Sequence, residues 1–105
     1  MALADPAREL VVGTLDGVVV GYGLGRREDL GGGQALGRVE ALYVEPPARG
    51  VGVGEAVLGR LMDWFAVQGC TGVDALALPG DREAKSFFEG AGFKTRLLIM
   101  HRDVR

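Results

Sequence analysis

The sequence is poor in the residues that hold small folds together covalently. It has one cysteine, Cys70, and one histidine, His101, in 105 residues. A single thiol cannot build a disulfide framework, and no metal site is read from the sequence. Long hydrophobic runs are missing too, since nothing approaches the roughly 18 residues of a spanning helix. Residues 1–6 carry Asp5 and no apolar core, so they do not form a secretory signal, and a cytoplasmic protein is expected. Positive charge is not in excess: the net charge is −2 and the isoelectric point about 5.3. No overall basic field attracts nucleic acid or an acidic membrane, and neither is expected as a partner. The length leaves no room for a second domain, but 48% hydrophobic residues suffice for one modest core over residues 1–105.

Glycine, by contrast, is abundant, with 18 residues, and its densest useful pattern is Arg49-Gly50-Val51-Gly52-Val53-Gly54-Glu55. The stretch follows the apolar run 39–44 and opens an apolar-periodic segment that reaches Gln68, so it reads as strand, glycine turn and helix start. Alternate glycines let backbone pass close to a bulky ligand, and the first turn of a helix has N–H groups without intrahelical partners. Helix-dipole charge and the Arg49 guanidinium favour an anion at the same point, so the turn is read as a phosphate site. A dinucleotide fingerprint is excluded, because the third glycine position holds Glu55 or Val57. A Walker A loop is excluded because Gly54 is followed by Glu55 and Ala56. What remains is Arg-x-x-Gly-x-Gly, at Arg49, Gly52 and Gly54 behind Leu42-Tyr43-Val44-Glu45-Pro46. It resembles the acyl-coenzyme A pyrophosphate loop of the GNAT superfamily of N-acetyltransferases.

In chain order, residues 9–15 and 18–24 are β-rich and joined by Asp16-Gly17, a two-residue hairpin signal. Glycines at 21, 23 and 25 share one strand face, where a helix is expected to crowd in. Residues 26–36, centred on Gly31-Gly32-Gly33, lack periodicity and read as a mobile loop beside an acceptor site. Residues 37–45 form the third strand, ended by Pro46-Pro47. With regular alternation Glu40 shares a face with Leu42 and Val44 and is half-buried. Desolvation there would let it act as a base toward an amine, and the resemblance implies the same, since several superfamily members carry an acid at this point.

Val53, Val57, Leu61 and Phe65 recur every four residues, with Ala56, Leu58 and Met62 widening the stripe, and Gly69 closes the helix. Residues 71–78 read as a central parallel strand. Pro79-Gly80-Asp81 breaks it, Asp81 caps a helix over residues 82–91, and Gly92 ends that helix. Residues 94–104 read as the last strand, with His101 a solvated strand residue. The fold class is a mixed α/β sheet in the order β-β-β-α-β-α-β, antiparallel at first and then a parallel β-α-β crossover. The segment Asp81-x-x-Ala84-x-x-Phe87-Phe88-Glu89-x-x-Gly92-Phe93 resembles the second superfamily signature, Asn-x-x-Ala-x-x-Phe-Tyr-Glu followed by Gly-Phe. Asp81 stands where Asn is usual, and Phe88 where many members have a tyrosine hydroxyl that protonates the leaving thiolate.

The resemblance covers roughly residues 9–104 and implies acetyl-coenzyme A as cosubstrate. It places the cofactor on Leu42, Tyr43, Val44, Arg49, Gly50, Val51, Gly52, Val53, Gly54, Glu55, Asp81, Ala84, Phe87 and Phe88. Glu40 is the implied catalytic residue, and the acceptor a primary amine of a small molecule or peptide. The alternative is a non-catalytic acyl-coenzyme A binding domain. Superfamily members usually begin with a further strand and one or two helices. The chain therefore reads either as a piece of a larger protein or as a short form completed by a second copy, which makes a homodimer the expected assembly.

Overall fold

The computed structural model describes residues 5–77 and 82–105. Strands β1 (Arg8–Leu15) and β2 (Val18–Gly31) form an antiparallel hairpin around Asp16-Gly17. Both turn residues have positive φ, 51° and 79°, as a two-residue turn matched to strand twist demands. Strand β3 (Gln34–Val44) returns antiparallel to β2. The loop expected at residues 26–36 is therefore absent, and Gly32-Gly33 alone make the turn between paired Gly31 and Gln34. These residues form strand without an apolar face because charge does the pairing: the Arg38 side chain donates to Glu28 across the ladder.

A short 3-10 turn (Pro46–Ala48) leads to helix α1 (Val53–Val67), strand β4 (Cys70–Ala75) and helix α2 (Arg82–Gly90). The sheet order is β1-β2-β3-β4, with β4 parallel to β3. Among the described residues β4 is thus an edge, not the central strand expected, because residues 94–105 form no ladder. Arg96 ties that segment to the sheet by donating from Nε and NH2 to the two carboxylate oxygens of Asp74. Those bonds hold the Asp74 carboxyl below its ordinary range. Just beyond, Leu97, Leu98, Ile99 and Met100 are all more than two-thirds exposed. Four consecutive apolar residues cannot all face one side of a sheet whose side chains alternate. His101 lies in this segment and pairs with Asp103.

The core forms where α1 lies on one sheet face. Val53, Val57, Leu58, Leu61 and Phe65 are buried, with Val11, Val39, Leu42 and Val73 beneath them. Met62, expected to widen this stripe, is 37% exposed, because α1 has only one side against the sheet. Glycines let the helix come this close. A Cβ on Gly23 would lie 2.6 Å from Val57 Cγ1, and one on Gly37 would lie 2.6 Å from Phe65 Cδ1. The close helix contact expected at Gly21, Gly23 and Gly25 is present at Gly23 and Gly25, and Gly37 extends it onto the next strand, whereas a Cβ on Gly21 would meet the Tyr43 carbonyl and Val44 of β3 rather than the helix. Helix α2 ends with Gly92 at φ 95°, bonds Gly92 N–H to the Glu89 carbonyl and Phe93 N–H to the Phe88 carbonyl, and packs the Phe93 ring on Phe88 at 5.2 Å. That is a Schellman closure with its hydrophobic contact. No helix among the described residues is long and apolar enough to cross a membrane.

Candidate active site

The helix start is built as its glycines require. Gly52 caps α1 at φ 90°, ψ 3° with no side-chain hydrogen bond to the cap, a conformation costly for residues bearing Cβ. The first bond at this end runs from Ala56 N–H to the Gly52 carbonyl. The N–H groups of Val53, Gly54 and Glu55 therefore have no acceptor within the helix and point out of its end. Val53 can serve only through its backbone, since its side chain is buried in the core. Val51 is exposed on the approach to the turn.

Beside this helix end lies a cleft of about 450 Å³. It brings together Leu42, Tyr43 and Val44 of β3, Arg49, Gly50, Gly54 and Glu55 of the loop, and Ala84, Phe87 and Phe88 of α2. Glu83 also lines it, and the sequence reading had not singled it out; as an acid in the first turn of α2 it offered only a weak signal. Arg49 is fixed by three contacts: Nε donates to the Val44 carbonyl at 2.8 Å, NH1 lies 3.7 Å from Glu83, and the guanidinium sits 5.8 Å over the Tyr43 ring. These hold a cation at the mouth of the turn. The Phe87 ring spans the gap between α2 and α1, where a Cβ on Gly54 would meet it at 3.2 Å. Phe88 stacks edge-on between Phe87 and Phe93, so this position presents hydrocarbon. The expected cap, Asp81, lies outside the described residues.

Glu40 is not where regular alternation puts it. Leu24 pairs with Ala41 and Gly25 with Val39, so Glu40 is an extra residue in β3, a β-bulge. Val39 and Leu42 both pack on the α1 side, while Glu40 turns to the opposite face. There Oε2 meets Arg8 NH2 at 3.2 Å and Arg26 Nε at 3.7 Å. Glu40 is an exposed residue, not half-buried as expected, although its side chain is 25% accessible, and it lies on the other side of the strand from Leu42 and Val44. The parallel pairing of β3 with β4 stops at Val39–Ala75, one residue before the bulge. Beyond that point β3 runs on to Val44 with no β4 ladder beside it among the described residues. The cleft is lined by the part of β3 beyond the end of that ladder, and Glu40 lies at the ladder's end on the opposite face.

A family model for the acetyltransferase (GNAT) family matches residues 2–93. The chain belongs to that family. It is an acetyltransferase domain, and the cosubstrate of its family is acetyl-coenzyme A. Solved structures share its fold. AAC(6')-Iy in complex with a coenzyme A bisubstrate analogue superposes with a TM-score of 0.81 at 20% identity, over 94% of this chain and 71% of that one. An aminoglycoside acetyltransferase from an uncultured soil metagenomic sample, in complex with sisomicin, gives 0.82 at 15% identity over 98% and 70%. An acetyltransferase of Trypanosoma brucei gives 0.74 at 25% identity over 93% and 70%. No curated protein matches the sequence.

Proposed function

We propose that the chain transfers the acetyl group of acetyl-coenzyme A to the primary amine of a small molecule or peptide, with Glu40 as the base. The observation that carries this reading is the end of the β3–β4 ladder beside the Glu40 bulge, together with the open end of α1. The pyrophosphate would take the free N–H groups of the α1 start together with Arg49. The pantetheine arm would run along Leu42–Val44 against Phe87 and Phe88, bringing the thioester toward the end of the β3–β4 ladder. The amine nitrogen attacks the carbonyl carbon, and its proton passes to Glu40 directly or through water. The tetrahedral intermediate then collapses with cleavage of the C–S bond, and the coenzyme A sulfur leaves as thiolate and takes a proton from water.

Glu40→Gln should lower the rate most at low pH, where few acceptor amines are already neutral and a base contributes most. Phe88→Tyr supplies a hydroxyl where the chain has none, and should speed thiol release. The gain will fall well short of the roughly 10²–10⁴-fold of positioned acid catalysis, since a thiolate of pKa about 8.5 is readily protonated by water. Thiol release followed across pH checks both. Phe88 in place of a hydroxyl also suits a domain that only binds acyl-coenzyme A. That reading replaces the catalytic one if coenzyme A binds and neither variant changes the rate at any pH.

The assembly we propose is a homodimer. Val12, Val18, Val19 and Tyr22 are exposed on the β1-β2 hairpin, whose outer strand β1 is a free edge among the described strands, and such an edge invites a second copy. Light scattering at high concentration should give twice 11.1 kDa. A mass equal to that of one chain would overturn the dimer.

A further inference from the structure

The sheet face opposite α1 has its own cleft, about 360 Å³, lined by Arg26, Glu28, Arg38, Glu40, Asp74 and Leu76. That volume is within the range of small-molecule sites. It lies where the β3–β4 ladder ends and is lined by Glu40, so on the transferase reading an acceptor bound in it would stand beside the proposed base. The inference that follows rests on the transferase reading and names the acceptor that this cleft would take.

Each carboxylate in the cleft already has an arginine. Glu28 accepts from Arg38, Asp74 from Arg96, and Glu40 faces both Arg8 and Arg26. No carboxylate is left without a cation, and one of them has two. A polycationic acceptor would meet positive charge wherever it found an acid. The arginines, however, are only partly used. Arg26 and Arg38 engage their glutamates through Nε, so the forks of NH1 and NH2 at their ends lie outside those pairs. An end-on guanidinium fork matches the two oxygens of a carboxylate or phosphate. Both side chains are about two-fifths accessible, at 41% and 38%, so a ligand can reach them. Glu40, whose two contacts both fall on Oε2, keeps Oε1 outside those pairs to face an amine.

We propose that the acceptor is a primary amine carrying an anionic group, the anion held by Arg38 and Arg26 while Glu40 receives the amine. The probes are matched pairs, β-alanine against β-alaninamide and phosphoethanolamine against ethanolamine, with spermidine as the polycation. Acetylation is followed by thiol release. The anionic member of at least one pair should have the higher kcat/KM by about tenfold or more, the scale of one charge-assisted contact, and spermidine should be poor. Which pair shows the preference tells carboxylate from phosphate. In Arg38→Gln the ratio within that pair should fall toward one, and Arg26→Gln gives a second reading if the first variant melts early. Equal rates within both pairs, or a preference for spermidine, overturn the proposal. So does a protein that binds coenzyme A in calorimetry yet neither acetylates nor binds the anionic amines. A protein that fails to bind coenzyme A at all overturns the transferase reading itself.

Discussion

Replacing Gly52 by valine is expected to abolish coenzyme A binding. Gly52 caps α1 at φ 90°, where a β-branched residue is badly strained, at a cost of about 1–3 kcal/mol. Around it the structure is open: an added Cβ would meet nothing within 4 Å. The folded protein therefore has room for the side chain, and what the valine displaces is the ligand. It also turns the first N–H groups of the helix away from the positions a pyrophosphate needs. Arg49→Ala should act more mildly, weakening binding by about 1–3 kcal/mol, since it removes one charge-assisted contact and leaves the backbone donors in place. Calorimetry on both variants, beside a thermal melt of each, separates lost affinity from lost fold. Unchanged affinity in both would remove the glycine turn as the cofactor site.

The second large effect concerns Phe65. Its ring is 1% exposed and fills a hollow that exists because Gly25 and Gly37 beneath it lack side chains. Their added Cβ atoms would lie 2.9 Å and 2.6 Å from ring carbons. Phe65→Ala should cost about 3–5 kcal/mol through the lost burial and the void left behind, a large part of the roughly 5–15 kcal/mol available to a folded domain. Gly37→Ala should cost about 1–3 kcal/mol by overpacking the same spot from below. The two positions compete for one volume, so shortening the ring should relieve part of the glycine penalty. Denaturant unfolding of Gly37→Ala, Phe65→Leu and the double variant tests this. Strict additivity would mean that the ring and the glycine do not constrain each other.

Local chemistry explains which parts of this arrangement could be read from residues alone. The Asp16-Gly17 hairpin, the four-residue stripe of α1 and the glycine closure of α2 depend on neighbours within a few positions, and each is where the sequence placed it. The Arg49–Glu55 turn with Leu42–Val44, Ala84, Phe87 and Phe88 was also legible as a group, because strand, loop and two helices bring them together by simple succession. Residues 26–36 were not. Arg26, Arg27, Glu28 and Asp29 have no apolar alternation to reveal a strand, and the ion pairs that make one lie across the ladder. The missing last strand and the edge position of β4 are likewise tertiary outcomes, since residues 94–105 have strand composition yet hold to the sheet through Arg96. The position of Glu40 was hidden for a different reason: a bulge leaves no mark in composition and arises from how two strands fit their twist.

That single unpaired residue works as a parity switch in β3. Before it, the odd-numbered Ala35, Gly37 and Val39 face α1. After it, the even-numbered Leu42 and Val44 do, as their contacts with the core and with Gly54 require. The strand is thus two counting frames joined at one position. The first frame is tied to β4 and the hydrophobic core, and the second carries a wall of the cleft beside α1 and α2. Length changes in the chain are then not equivalent. A residue gained or lost in the turn at Gly32-Gly33 is absorbed at the rim. One lost at position 40 would merge the frames into a single regular alternation that still turns Leu42 and Val44 toward the helix and Ala41 and Tyr43 away from it, so the lining of the cleft would survive while the carboxylate on the opposite face was gone.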